Sequence, residues 1–220
     1  MKRGYFILTL SLLLVLTFNF VSAASLPLNC TNGSKVVWDE KEVELYGSKY
    51  VNGIGVGLSY SAEMRVISGG ALIDRFVADL IIDAGLVSFS AENRAEELIL
   101  KGGTYSIKVA NVTDKLVKIT VGDEEKEIPR NNLSVIGGLN VLLVSSDSTP
   151  SAKILAGIKP LTLSSNEKAY EKITFDNKVH IIEIKSASGS DALIRISKCE
   201  SGDIYVVKED AGEEANENTN

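Results

Sequence analysis

Few residues in this chain are equipped for chemistry. His180 is the sole histidine, and Cys30 and Cys199 are the only cysteines. A Ser-His-Asp or Cys-His centre would have to be built on His180, because activating a hydroxyl or thiol needs an adjacent base. His180 lies inside the run Lys178-Val179-His180-Ile181-Ile182-Glu183-Ile184-Lys185, mid-strand and with no nucleophile turn beside it. That context describes a partly buried structural imidazole. One histidine and two distant cysteines do not make a zinc ligand set of the usual spacing, and no acidic loop carries the ligand pattern of a calcium hand. Scattered carboxylates leave room only for an irregular calcium site. No catalytic residue, metal ligand or cofactor-binding residue is therefore assigned, and no cofactor is expected.

The compartment decides what the cysteines do. Lys2 and Arg3 precede an almost unbroken apolar run from Phe6 to Val21, and Val21-Ser22-Ala23 offers small residues for cleavage before Ala24. This is the pattern of a secretory signal peptide over residues 1–23; left uncleaved, the same run would be the chain's one membrane anchor. A secreted or cell-surface location follows. In an exported chain two cysteines are most simply one disulfide, so Cys30 and Cys199 are expected to be bonded. Four N-x-[ST] sequons, at Asn29, Asn32, Asn111 and Asn132, are candidate N-glycosylation sites on expected turns or polar bends.

Composition narrows the partners. The chain of 220 residues has 45% hydrophobic and 24% charged residues, which is enough apolar material for a globular core. Its net charge of −6 lacks the basic stripe that phosphate binding needs, so nucleic acid is excluded as a partner, and anionic lipid heads offer no attraction. Envelope proteins or further copies of the chain remain, with the membrane reached only through the signal segment. Glu209, Asp210, Glu213, Glu214 and Glu217 make residues 208–220 an acidic tail with too little apolar surface to order itself.

The elements that must position these groups read as strands. In Leu98–Val121, the residues Leu98, Leu100, Tyr105, Ile107, Val109, Val117, Ile119 and Val121 alternate within their runs, the period of half-buried antiparallel strands, and Gly102-Gly103 sits where a hairpin turn needs positive φ. A second copy of the pattern places Ile173 on Leu98, Phe175 on Leu100, His180 on Tyr105, Ile182 on Ile107 and Ile184 on Val109; after an insertion at Ser188-Gly189, Ile194 falls on Val117 and Ile196 on Ile119. A weaker copy, Val43–Val51, comes earlier. Between them, Lys35–Leu45 reads as two strands about a charged bend, with Trp38 as a core anchor. Gly47, Gly53, Gly55 and Gly57 mark turns, bulges or close backbone approach rather than a dinucleotide fingerprint, since no helix follows. Ala71–Phe89 reads as two strands either side of Ala84-Gly85, with Asp79 and Asp83 on one face, and Ala91–Glu97 as one or two helical turns after a Ser90 cap. Ala152–Leu163 reads as a strand pair around Gly157 and Pro160, and Ser164–Lys168 as a linker. The fold class is thus all-β: an antiparallel sandwich or partly open barrel of hairpin units over residues 24–207, with one short helix and a sub-domain boundary near 164–169.

Two resemblances attach to these stretches. Leu80-Ile81-Ile82-Asp83-Ala84-Gly85 resembles the apolar-apolar-Asp-Thr/Ser-Gly motif of aspartic proteases, whose paired carboxylates share a proton, and Val135-Ile136-Gly137 resembles their later apolar-apolar-Gly element. Ala84 replaces the supporting hydroxyl residue and no second Asp motif exists. Leu100-Lys101-Gly102-Gly103-Thr104-Tyr105-Ser106-Ile107-Lys108-Val109, followed by Val117–Val121, resembles the small β units of archaeal surface-layer and related cell-envelope proteins, over about half of the exported chain. That resemblance implies a non-enzymatic structural or protein-interaction module of the envelope. Alternatives are a filament subunit whose segment Ala24–Leu28 adds a strand to a neighbour, a carbohydrate-binding module using Tyr46, Tyr50 and Tyr60, and, more remotely, an enzyme of the aspartic-protease type.

Overall fold

The computed structural model describes residues 26–147 and 151–207. The stretch 1–23 expected to be a signal segment, Ala24 and the expected acidic tail 208–220 lie outside the described residues. Leu28–Tyr205 forms one compact unit. Among the described residues every regular element is a β-strand apart from one 3-10 turn, Thr31–Gly33.

The spine is a six-stranded sheet in the order β10 (Leu133–Ile136), β11 (Leu139–Ser146), β12 (Ala152–Ser164), β5 (Ala71–Phe89), β4 (Ile54–Ser68) and β3 (Ser48–Val51). Two four-stranded sheets lie against it. One runs β13 (Tyr170–Phe175), β14 (Lys178–Ala187), β15 (Asp191–Cys199), β2 (Val36–Glu44); the other runs β6 (Ala95–Leu100), β7 (Gly103–Ala110), β8 (Leu116–Val121), β9 (Glu124–Pro129). A short ribbon pairs β1 (Leu28–Cys30) with β16 (Ile204–Val206). The pairings within the six-stranded and four-stranded sheets are all antiparallel, so the architecture is an all-β sandwich that does not close into a barrel.

Each covering sheet seals its own core. Ala78, Leu80 and Ile82 of β5 join Val56, Leu58 and Leu163 against Ile182, Ile184, Ile194 and Ile196. Val87 and Phe89 of the same strand join Val141, Leu143 and Ile154 against Leu98, Ile107, Val117 and Ile119. Strand side chains alternate with a period of two, yet the core positions of β5 change from even to odd numbers. Asp83, with φ 52°, is where the alternation resets. The outward residues agree: Ile81 before it and Ala84 after it share a cluster with Leu142 and Leu155. β4 makes the same correction at the bulge between Leu58 and Tyr60, after which Ser61 turns inward and donates its hydroxyl to the Asp191 carbonyl at 2.6 Å. Such one-residue insertions are the standard way to keep a long strand's apolar side on one face.

Several local expectations change. β5 is one strand of 19 residues, not two; Gly85 is no turn but the point where β6 approaches, since a Cβ there would lie 2.6 Å from Leu98 Cδ1. β2 is one strand of nine residues. It lies at a sheet edge and its charges pair in place, Lys41 with Asp39 at 3.3 Å and Arg195 with Glu40 at 2.7 Å, so no bend is needed to solvate them. β12 is also continuous; β11 stops pairing at Gly157, leaving Pro160 on a stretch where one edge is free, as proline in a sheet requires. Ala91–Glu97 forms no helix. The Ser90 amide donates to the Asn93 carbonyl and the Asn93 amide to Ser90 Oγ, a tight turn from which β6 extends at Ala95. Trp38 is 59% exposed, so it anchors no core.

The hairpin copies coincide in register where they were aligned. Leu98 faces Tyr105 and Leu100 faces Gly103, as Ile173 faces His180 and Phe175 faces Lys178. The next hairpins diverge: Val109 faces Ile119, whereas Ile184 faces Ile194 beside a bulge. The Val43–Val51 copy is no hairpin, because β2 and β3 belong to different sheets.

Candidate functional site

Where the two covering sheets meet above β5, the chain builds a cavity of about 310 Å³. Two hairpin turns and the bend at Asp83 create it. Lys101-Gly102 connects β6 to β7, one residue earlier than the Gly-Gly turn expected, and Gly103 (φ 139°) already pairs with Leu100. Asp176-Asn177, with φ 53° and 58°, closes the β13–β14 hairpin, the two left-handed positions of a type I′ turn. Lys101 bridges the sheets: it pairs with Asp176 and its ammonium lies 4.2 Å from the Phe175 ring centre. Ile82, Ile158, Ile173 and Phe175 supply apolar walls, and Asp83, Lys159 and Thr174 supply polar groups. Asp83 is 7% exposed and accepts the Gly102 amide at 3.4 Å, a long bond.

The carboxylates Asp79 and Asp83 do not converge. Asp79 accepts the Thr162 hydroxyl at 2.6 Å and lines a different cavity, of about 390 Å³, with Tyr46, Tyr60, Leu133, Leu142 and Pro160. The bend at Asp83 is the reason: it breaks the alternation that would have put the two side chains on one face. Ile136-Gly137 ends β10 in a Gly137-Gly138 turn, with both residues at positive φ, and β11 and β12 separate β10 from the strand that carries Asp83. Among the described residues no cluster of His, Cys, Asp or Glu is arranged to hold a metal ion.

His180 is 3% exposed, and its Nδ1 lies 3.0 Å from the Lys178 carbonyl oxygen. A carbonyl only accepts, so Nδ1 carries the proton. Burial pushes the imidazole pKa down; the Lys178 hydrogen bond opposes this, and the Lys198 and Lys101 charges add to it. Its ring meets Phe175 edge to face, with centroids 6.1 Å apart. Cys30 and Cys199 sit at disulfide distance with Cα atoms 5.8 Å apart, in a small apolar cluster with Ile181 and Ile204.

The sequons are all open to solvent: Asn29, Asn32, Asn111 and Asn132 are exposed. Asn32 and Asn111 adopt positive φ in turns, while Asn29 falls within β1 rather than on a bend. Tyr46 and Tyr60 share the larger cavity, and Tyr50, on β3, is not part of its lining. Leu28, the last residue of the segment considered for strand donation, is already in β1 beside β16.

One surface was not foreseen. β12 pairs with β5 only as far as Val77, and β3 pairs with β4 only as far as Gly57. Beyond those points β4 and β5 continue together to Ser68 and Ala71 as a two-stranded arm, turning through Gly69-Gly70 (φ 59° and 83°). Ser165 holds its base, the Phe76 amide donating to Ser165 Oγ and the Ser165 amide to the Phe76 carbonyl, both at 2.9 Å. The pairs Ile67–Leu72 and Val66–Ile73 lie at the tip, and Ile67 and Leu72 are 79% and 73% exposed. The sequence signal was the apolar residues flanking Ser68-Gly69-Gly70; nothing local told that no other strand would cover them. No family model matches this chain, and neither a curated protein nor a solved structure matches it.

Proposed function

We propose that the protein is a secreted, non-enzymatic interaction module of the cell envelope, resembling surface-layer components, that holds a neighbouring protein through the β4–β5 arm. The exposed tip carries this reading. A two-stranded hairpin is marginally stable by itself in water, and large exposed apolar side chains gathered on one projection mark interaction surfaces. The arm also has two edges free of ladder partners among the described residues, the geometry that strand addition uses. The paired cysteines suit an oxidising compartment, and the chain's acidity suits a protein partner better than a polyanion.

A photo-crosslinking residue placed at Leu72 in the full chain, expressed in its own cells, tests the reading. A discrete adduct is expected, and Ile67→Asp should abolish it while leaving the thermal midpoint nearly unchanged, since position 67 touches solvent. Failure to form any adduct on intact envelopes would overturn the docking role.

A further inference from the structure

We propose that the cavity between the covering sheets binds a small zwitterion with an apolar body, such as a free α-amino acid, its ammonium on Asp83 and its carboxylate at Lys159. The inference is independent of the arm and begins with the buried carboxylates. Among the described residues two acidic side chains are buried, Asp83 and Glu183. Glu183 is matched by Lys185 at 3.1 Å. Asp83 has no cation within ion-pair distance among the described residues, and it accepts only a long hydrogen bond from the Gly102 amide. A carboxylate enclosed to this degree gains from a cationic partner within hydrogen-bond reach. A bound ammonium is such a partner.

The backbone at Asp83 points the same way. A bend at φ 52° in the middle of a central strand suits glycine better than any other residue, because glycine alone meets positive φ without a steric penalty. The carboxylate is thus more than the bend requires. Strained backbone of this kind gathers at ligand sites.

Lys159 completes the pattern. It lines the same cavity and forms no ion pair among the described residues, whereas Lys101 is taken up by Asp176 and the Phe175 ring. Asp83 and Lys159 are not within ion-pair distance of each other. Buried Asp83 and exposed Lys159, opposite charges without an ion pair among the described residues, therefore line one space walled by Ile82, Ile158, Ile173 and Phe175. That is the complement of a molecule carrying an ammonium, a carboxylate and a hydrocarbon side chain. The volume, about 310 Å³, falls at the small end of ligand cavities.

Calorimetric titration of the full exported chain with L-leucine, N-acetyl-L-leucine and 3-methylbutylamine tests this. L-leucine should bind; blocking its amine or removing its carboxylate should each weaken binding by about tenfold or more, the worth of a hydrogen bond to a charged group. Asp83→Asn keeps the shape and tolerates positive φ, and should abolish the advantage of L-leucine over the N-acetyl form. Lys159→Met should abolish the advantage of L-leucine over the amine. Absence of binding by L-leucine and L-phenylalanine at millimolar concentration would overturn the proposal, as would equal binding of the free and N-acetylated forms, a comparison that needs no variant to fold.

Discussion

The guanidinium of Arg195 lies 4.6 Å from the centre of the Trp38 ring, while the same group holds Glu40 at 2.7 Å. The sole tryptophan is thus laid on the outer face of its sheet over a charged pair. Because the ring leaves little water-excluded area to lose, Trp38→Ala should cost about 1 kcal/mol or less, the range of an exposed cation–π contact, against about 3–5 kcal/mol for a core tryptophan. Fluorescence provides the companion check: emission should be that of a solvated indole and strongly quenched by iodide. A blue-shifted, quencher-resistant emission would place Trp38 inside.

Cys30 and Cys199 are separated by 169 residues. A cross-link closing so long a loop contributes about 5 kcal/mol in the chain-entropy account. Cys30→Ser with Cys199→Ser should therefore lower the denaturant midpoint markedly with little change in far-UV circular dichroism, since the buried cluster of Ile181 and Ile204 remains. Mass spectrometry of the protein purified from its own cells without reductant should show a mass two hydrogens below the free-thiol form; two free thiols would refute the pairing.

His180 should make stability pH-dependent with a definite sign. Burial lowers its pKa in the folded chain from the ordinary 6.5, and the groups facing it are the Lys178 carbonyl, Lys198, Lys101 and Asp176. As pH falls below that value, the unfolded chain binds a proton that the folded chain still refuses. The contribution is therefore complete above the unfolded pKa and is lost as pH falls towards the folded one. Urea melts at about pH 7.5 and about pH 5 should show wild type losing more stability than His180→Gln. Equal losses would contradict the buried, neutral imidazole.

Gly55 and Gly189 offer a matched pair. A Cβ at Gly55 would lie 2.4 Å from the Ala84 carbonyl oxygen, whereas one at Gly189 meets nothing within 4 Å. Backbone cannot yield as a side-chain tip can, so Gly55→Ala should destabilise by about 1–3 kcal/mol or more. Gly189→Ala should be neutral or slightly stabilising through the unfolded state. Chemical denaturation of both variants decides it.

The alternating residues of Leu98–Val109 and Ile173–Ile184 were enough to establish antiparallel strands, whereas the facing pair Leu98–Tyr105 follows from a turn one residue earlier than the Gly-Gly pair suggests. Turn chemistry and period-two burial act over a few residues, so they are legible without the fold. The partners Cys30 and Cys199 were legible for a different reason: a chain with two cysteines leaves one intramolecular pairing. Tertiary structure alone decided that Ala71–Phe89 is one strand serving two cores, because the bend at Asp83 matters only once a second sheet approaches Gly85. It also decided that Trp38 faces water, that Asp79 and Asp83 part company, and that the tip around Ile67 and Leu72 stays uncovered. Each of these depends on which distant strand lies over a given face, and an alternating pattern does not contain that information.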